Sequence, residues 1–298
     1  MDRRSALKTL AAAAASQVAG RAATPFPQII LYSQNLIQVE YPELGDIVQQ
    51  LGFDGVVLTV MPGGHVEPRL ASVDLVRALE VMQGSGLSCP VITTALTSPM
   101  DRTAGPVLAL AGMSRVPLFR PGYWAYGNAP NILARVQEVQ RDFAGLLNTG
   151  RQYGIGGAFH NLAGDHVGAP VWDIQRILEP LDPAWAGFYF DPAQATAEGG
   201  VSGWEIAMRL ALPRVKAVTI QDFFWEKQDG HWRMVKCPLG QGMVDWPKFF
   251  RILAQSNFTG PITLEIAYPV KDMPSALTRE LQFARKQVQA AWPSVPKT

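Results

Sequence analysis

WDIQRILEPLDPAWAGFYFDPAQATAEGGVSGWEIAMRLALPRVKAVTIQD, residues 172–222, holds one structural unit twice over. WDIQRILEPL reads as a helix, and the short aromatic run AGFYFD that follows reads as a strand. GWEIAMRLAL returns to the helical pattern, and VKAVTIQD alternates β-branched with polar residues in the manner of a second strand. The segment between the two strands is too long for a hairpin, so they run parallel with a helix crossing between them. Each strand ends in a carboxylate, Asp191 and Asp222. An acid at the tip of an apolar strand is either a helix cap or turn residue, or one facing a site at the strand end.

The same unit extends in both directions. Upstream, QIILYS (28–33), FDGVVLTV (53–60), LSCPVITTAL, VPLFR near residue 116 and IGGAFH read as strands. YPELGDIVQQLG, VDLVRALEVMQGSG and NILARVQEVQRDFAGLLNTGRQYG, from Asn131 to about Gly154, read as helices, the first two ended by glycine. Downstream, DWPKFFRILAQSNFTG leads into PITLEIAYP, and SALTRELQFARKQVQAAW closes the chain as a helix. About eight strand–helix units in roughly 270 residues predict an α/β fold of the closed (β/α)8 TIM-barrel type rather than an open doubly wound sheet. No G-x-G-x-x-G follows the first strand, which speaks against a dinucleotide-binding fold. No linker or internal sequence repeat interrupts residues 25–298, which are read as one domain.

With 48% hydrophobic and 17% charged residues, the 298-residue chain can bury a sizeable core. Its 26 basic and 25 acidic residues leave a net charge of +1, which gives no field to attract nucleic acid or an anionic membrane. Residues 1–24 read as a leader: paired Arg3-Arg4, then Leu7-Lys8, then an alanine-rich stretch over 9–19 that is too short to span a bilayer. This pattern resembles a twin-arginine signal peptide and predicts an exported, periplasmic protein. Cys89 and Cys237 match no metal-binding spacing and are expected as free or buried thiols.

In a barrel the chemistry sits at the C-terminal ends of the strands. Those ends carry His65 and Glu67; Arg120, Tyr123, Trp124 and Tyr126; His160, Asn161, Asp165 and His166; Asp191; Gln221 and Asp222; and Glu265. Alternation puts Thr219 and Gln221 on one strand face with Val218 and Ile220 on the other, and separates Thr263 and Glu265 from Ile262 and Leu264. Carboxylates pointing into a barrel mouth need compensation. A divalent metal (Mn, Mg, Co or Zn) held by Asp191, Glu265, His160 and Gln221 would supply it; pairing with Arg120 or Lys216 is the alternative. His65 and His160 are candidate acid/base groups beside Glu265, and Trp124 and Trp225 offer an apolar wall against a sugar ring. CPLGQG (237–242) predicts a tight turn that presents backbone donors.

The carriers LGFDGVVLTVMPGGHVEP, FHNLAGDHVG, FYFDPAQATAEGG, VTIQDFFW, CPLGQGMVDW and GPITLEIAYP, in this order, resemble the sugar phosphate isomerase/epimerase family of xylose-isomerase-like barrels over about residues 28 to 285. The resemblance implies a divalent metal at the top of the barrel and isomerisation or epimerisation beside a sugar carbonyl through an enediolate. Glu265, His160 and His65 are then the expected catalytic groups. Arg120, Trp124, Asn161, His166, Gln194, Asp222 and Trp225 are expected to bind a small carbohydrate, with a homo-oligomer possible. The chain also departs from the family. Thr219 stands where a metal-binding histidine is common, Gln221 where a lysine is, Gln194 where a histidine is, and His160 or Asn161 nearest to a glutamate ligand. Two further readings stand beside the isomerase: a lyase or hydrolase of keto-glycosides with the same metal and enolate chemistry, and, favoured by Thr219, Gln221 and Gln194, a non-catalytic sugar-binding or partner subunit.

Overall fold

Eight parallel strands close on themselves in the computed structural model, which describes residues 26–292; the leader read over residues 1–24 lies outside the described residues. The barrel strands are β1 (Ile29–Tyr32), β2 (Gly55–Val60), β3 (Ser88–Thr94), β4 (Leu118–Arg120), β5 (Gly156–His160), β6 (Ala186–Phe190), β7 (Val215–Ile220) and β10 (Ile262–Leu264). The ring closes where β1 lies parallel to both β10 and β2, with Ile30 opposite Thr263 and Leu31 opposite Val56. Between β7 and β10 the chain adds an antiparallel hairpin, β8 (Asp222–Gln228) and β9 (His231–Cys237).

Helices α1 (Tyr41–Leu51), α2 (Ala71–Gly84), α3 (Ala104–Met113), α4 (Ile132–Arg151), α5 (Val171–Leu178), α6 (Pro192–Ala211), α7 (Trp246–Gln255) and α8 (Met273–Ala291) cover the outside. Their ends follow local chemistry. Gly52 ends α1 in the left-handed conformation (φ 89°), and Asn131 caps α4 by accepting from Ala134 N at 3.0 Å. Helix α6 starts earlier than its apolar pattern predicts, because Asp191 caps it and Pro192 fits its first turn; Gly200 (φ 64°, ψ −160°) then breaks it into two segments. Two elements are absent from the sequence reading. Helix α3, AGPVLALAGM, is apolar on nearly every side and so shows no amphipathic period, and the β8–β9 hairpin lies inside what reads as a crossover.

Strand parity sorts the apolar residues into two layers. Ile30, Val57, Val91, Ala158, Tyr189 and Ala217 fill the barrel interior. Their alternates, among them Leu31, Leu58, Ile92, Phe159, Phe188, Phe190, Val218 and Leu264, pack outward with the helices in the larger cluster. A cavity of about 510 Å³ opens at the N-terminal ends of the strands, lined by Trp185, Lys216, Asn257 and neighbours. Cys89 and Cys237 are both free thiols, and burial pushes the first up to about 12. Among the described residues, no helix is long and apolar enough to cross a membrane.

Candidate active site

The parity that fills the interior also builds the mouth. Two residues beyond an inward-facing residue, six of the eight strands deliver a polar one to the mouth: Tyr32 after Ile30, Arg120 after Leu118, His160 after Ala158, Asp191 after Tyr189, Gln221 after Thr219, and Glu265 after Thr263. Beneath them Tyr189 and Thr263 hydrogen-bond through their hydroxyls across the interior. The polar ring therefore stands on a packed floor rather than on mobile loops.

Asp191 divides its carboxylate. Oδ1 accepts from Ala193 N (2.8 Å) and Gln194 N (3.1 Å), capping α6. Oδ2 accepts from the Gln221 side-chain amide and lies 3.6 Å from His160 Nε2. Asn161 clamps the same residue from β5, donating to Asp191 O at 2.9 Å and accepting from Asp191 N at 2.8 Å. Both readings of the strand-end acid hold at once, one for each oxygen.

A second chain of contacts runs from β4 to β5. The Arg120 guanidinium donates to Tyr123 Oη, and Tyr123 Oη lies 2.8 Å from His160 Nδ1. The Arg120 guanidinium also lies over the rings of Tyr32 and Tyr123, 5.7 and 5.1 Å from their centroids. Because Tyr123 accepts from Arg120, its own proton goes to Nδ1, which leaves the neutral imidazole protonated at Nε2, on the Asp191 side. Burial lowers the His160 pKa below its ordinary 6.5, against the pull of Asp191, so the ring is neutral near pH 7. Glu265 is shifted the other way: burial raises it above 4.5, Arg120 and Lys236 oppose that, and Asp191 adds to it. Lys236 reaches the same region from β9, and burial lowers its ammonium below 10.5 while Asp191, Glu265 and Asp222 pull it back up. Arg120 Nε, His160 Nε2 and Lys236 Nζ are all buried without a hydrogen-bond partner.

Several residues expected at the site do other work. His65 places Nε2 at 3.0 Å from Val39 O and Nδ1 at 3.3 Å from Thr59 Oγ1, so both ring nitrogens tie down a loop and neither is available as an acid or base. Trp124 is buried, donates to Thr97 O at 2.9 Å and stacks on Phe159 at 5.3 Å, which makes it a core anchor. Asn161 and Gln194 are buried braces, the latter accepting from Ala163 N at 3.1 Å. His166 contacts Ala163 O through Nδ1 and meets the Tyr123 ring edge-on at the rim. Trp225 stands half out on the hairpin, its ring edge-on to Phe223. Asp222 binds its own chain: it accepts from Phe223 N, Gly240 N, Gly242 N, Val244 N and Trp246 Nε1, at 2.8 to 3.3 Å. The Gly240 and Gly242 donors of CPLGQG are therefore turned onto Asp222, Leu239 N onto Glu280 and Gln241 N onto Pro238 O, not onto a ligand.

Of the metal ligands expected from the sequence, His160 and Gln221 meet Asp191 at Oδ2, but the groups they turn toward one another there are not arranged as metal ligands. Gln221 turns its amide nitrogen, a donor, to Asp191, and Asp191 Oδ1 is held by the helix cap. Among the described residues no three His, Cys, Asp or Glu side chains form a group that could hold a metal ion. Tyr32, Tyr189 and Lys236 are the site residues the sequence reading lacks. Parity alone points to the two tyrosines. Lys236 needs the hairpin, where it faces Phe223 across the ladder.

Residues 45–287 match the family described as xylose isomerase-like TIM barrel. No curated protein matches the sequence. Among solved structures, a xylose isomerase-like TIM barrel protein from Mycobacterium smegmatis in complex with magnesium is 15% identical with a TM-score of 0.69, covering 89% of this chain and 98% of that one. The apo form of 3-keto-D-glucoside 4-epimerase from E. coli is 15% identical with a TM-score of 0.67, over 87% and 99% of the two chains. The probable 3-DHS dehydratase from Bacillus anthracis is 12% identical with a TM-score of 0.68, over 87% and 98%. At these identities the likeness is one of fold.

Proposed function

The chain belongs to the xylose isomerase-like TIM-barrel family, and on that premise we propose that it moves a proton beside the carbonyl of a sugar or sugar derivative, as an isomerase or epimerase working through an enediolate. One juxtaposition carries this reading: the Glu265 carboxylate, with its raised proton affinity, shares the barrel mouth with the Arg120–Tyr123–His160 chain.

Glu265 is the base. A carboxylate whose pKa is raised toward the working pH removes a C–H proton more readily than an ordinary one. The electron pair moves onto the carbonyl oxygen, and Arg120 Nε, a buried donor without a hydrogen-bond partner, is available to that oxyanion. Asp191 orients His160 from one side and Tyr123 holds it from the other. Protonation of the enediolate on its opposite face, or at the neighbouring carbon, completes epimerisation or isomerisation, with His160 as the second acid/base group.

One similar structure holds magnesium, and a divalent ion, where bound, polarises a carbonyl as a Lewis acid. The donors of this chain do not fit such an ion, because Asp191 is engaged through both oxygens and Gln221 presents a donor. The steps above therefore rest on side chains alone. The substrate is proposed to be a small, non-phosphorylated carbohydrate met outside the cytoplasm, a preference supported by the Arg3-Arg4 leader.

The test is proton NMR in D2O with purified protein and a panel of ketohexoses and 3-keto-glucosides. Solvent deuterium should enter at the carbon beside the carbonyl, and Glu265→Gln should slow that exchange by about 10³-fold. No exchange with any member of the panel would sink the reading.

A further inference from the structure

We infer that Lys236, carried over the barrel mouth by the β8–β9 hairpin, is the second cation of the active site and fills the electrostatic place that a divalent ion would take opposite Asp191 and Glu265. The oxyanion it would stabilise rests on the isomerase/epimerase reading; the charge arrangement does not.

The Lys236 ammonium is buried and makes no hydrogen bond. An ammonium taken out of water costs several kcal/mol unless opposite charge compensates it. The acids whose field it feels are Asp191, Glu265 and Asp222. Asp222 is saturated by five N–H donors. Hydrogen bonds do not cancel its charge, so three carboxylates, Asp191, Glu265 and Asp222, face two cations, Arg120 and Lys236. The cluster carries one negative charge. A divalent cation added beside Lys236 would turn it to one positive charge, whereas one bound in place of Lys236 would leave it neutral, so the two compete in a poorly solvated mouth.

The placement is built, not incidental. Lys236 and Phe223 are directly opposed in the hairpin ladder and so share one face, and Phe223 is fully buried. The base of the hairpin is fixed because Asp222 grips the loop that follows β9. Arg120 thus comes from the barrel wall and Lys236 from above. When Glu265 takes the proton from carbon, the electron pair develops on the carbonyl oxygen. The Lys236 N–H bonds, without a partner in the structure, then have one, and no redox change or added reactant is needed.

The experiment is a Mn2+ titration by calorimetry, with the bound ion read by electron paramagnetic resonance, on wild type, Lys236→Met, Lys236→Gln and Lys236→Met/Asp191→Asn. Circular dichroism and melting curves confirm folding; two neutral replacements keep the test open should one fail to fold. The expected result is no uptake by wild type, binding at least about tenfold tighter in a neutral variant, where loss of the positive charge lets the ion displace the Gln221 amide from Asp191 Oδ2, and loss of that binding when Asp191 is also neutralised. Uptake of one Mn2+ by wild type, equal in the variants, would overturn the inference. In the deuterium assay, wild-type exchange should persist in EDTA, and Lys236→Met should lose about 10²- to 10³-fold, with partial recovery in Lys236→Arg. Exchange by Lys236→Met at the wild-type rate would also overturn it. If wild type exchanges with no probe sugar, the isomerase reading falls while the Mn2+ titration still decides the role of Lys236.

Discussion

Asp191 serves a helix and a histidine through different oxygens, and substitution can separate the two. Asn keeps an oxygen for Ala193 N and Gln194 N and removes the charge facing His160; its NH2 replaces the Oδ2 acceptor, which the Gln221 amide meets by turning its oxygen toward it. Ala removes both the oxygen and the charge. Asp191→Ala should therefore lose about 1–2 kcal/mol of stability, while Asp191→Asn melts close to wild type; both should lose most deuterium exchange. Equal melting of the two variants would show that the cap contributes nothing. Glu265 makes a second residue-scale prediction. As a base it works only when ionised, and burial has raised its pKa above 4.5 with Arg120 as the largest opposing influence. The acid limb of kcat/KM should lie above pH 4.5 and move to higher pH in Arg120→Met. A limb that stays in place in that variant would show that another group controls it.

At the scale of elements, the hairpin and the loop after it depend on one carboxylate. Asp222→Ala would leave Gly240 N, Gly242 N, Val244 N and the Trp246 indole without their acceptor. The expected loss is about 3–5 kcal/mol, and it should be accompanied by faster amide hydrogen exchange confined to the hairpin and residues 237–246. Gly242→Ala attacks the same joint sterically, since its Cβ would fall 2.1 Å from Asp222 Oδ1 and 2.3 Å from Phe223 O. Here the limits of reading a sequence become physical. The barrel strands, and Arg120, His160, Asp191 and Glu265 on their inward ends, are legible because alternation and strand order are local and repeat along the chain. Asp222 as a substrate ligand is not refutable from sequence, because its partners come from residues up to 24 positions away. Asp229-Gly230, both at positive φ (50° and 81°), is a local hairpin signal. That the hairpin bends Lys236 into the mouth is a tertiary fact with no local trace. Trp124 fails for a similar reason: an aromatic after a strand looks the same in sequence whether it meets a ligand or Phe159.

Across the whole molecule, the site sets a conflict between stability and pH. Burial raises Glu265 and Glu280 above 4.5, so the folded chain holds protons there that the unfolded chain releases. Stability contributed by those protons is present below pH 4.5 and is lost as pH rises through the folded values. His160 and His65 act with the opposite sign: burial lowers both below 6.5, so stability falls as pH drops below 6.5 and the unfolded chain takes up protons first. The native state is thus squeezed from both sides, with active-site groups on each. Glu265→Gln removes one side. Near pH 4 the wild-type carboxyl is protonated folded or unfolded, so the two proteins should melt together. At pH 8 the variant no longer holds a buried carboxylate and should melt higher. Arg120 and Lys236 already offset part of the wild-type cost, which keeps the expected gain to about 2–4 °C. A variant that gains stability at pH 8 while losing exchange would mark Glu265 as a charge retained for chemistry at the expense of the fold. A variant less stable at pH 8 would instead mean that the two cations depend on Glu265 more than burial penalises it.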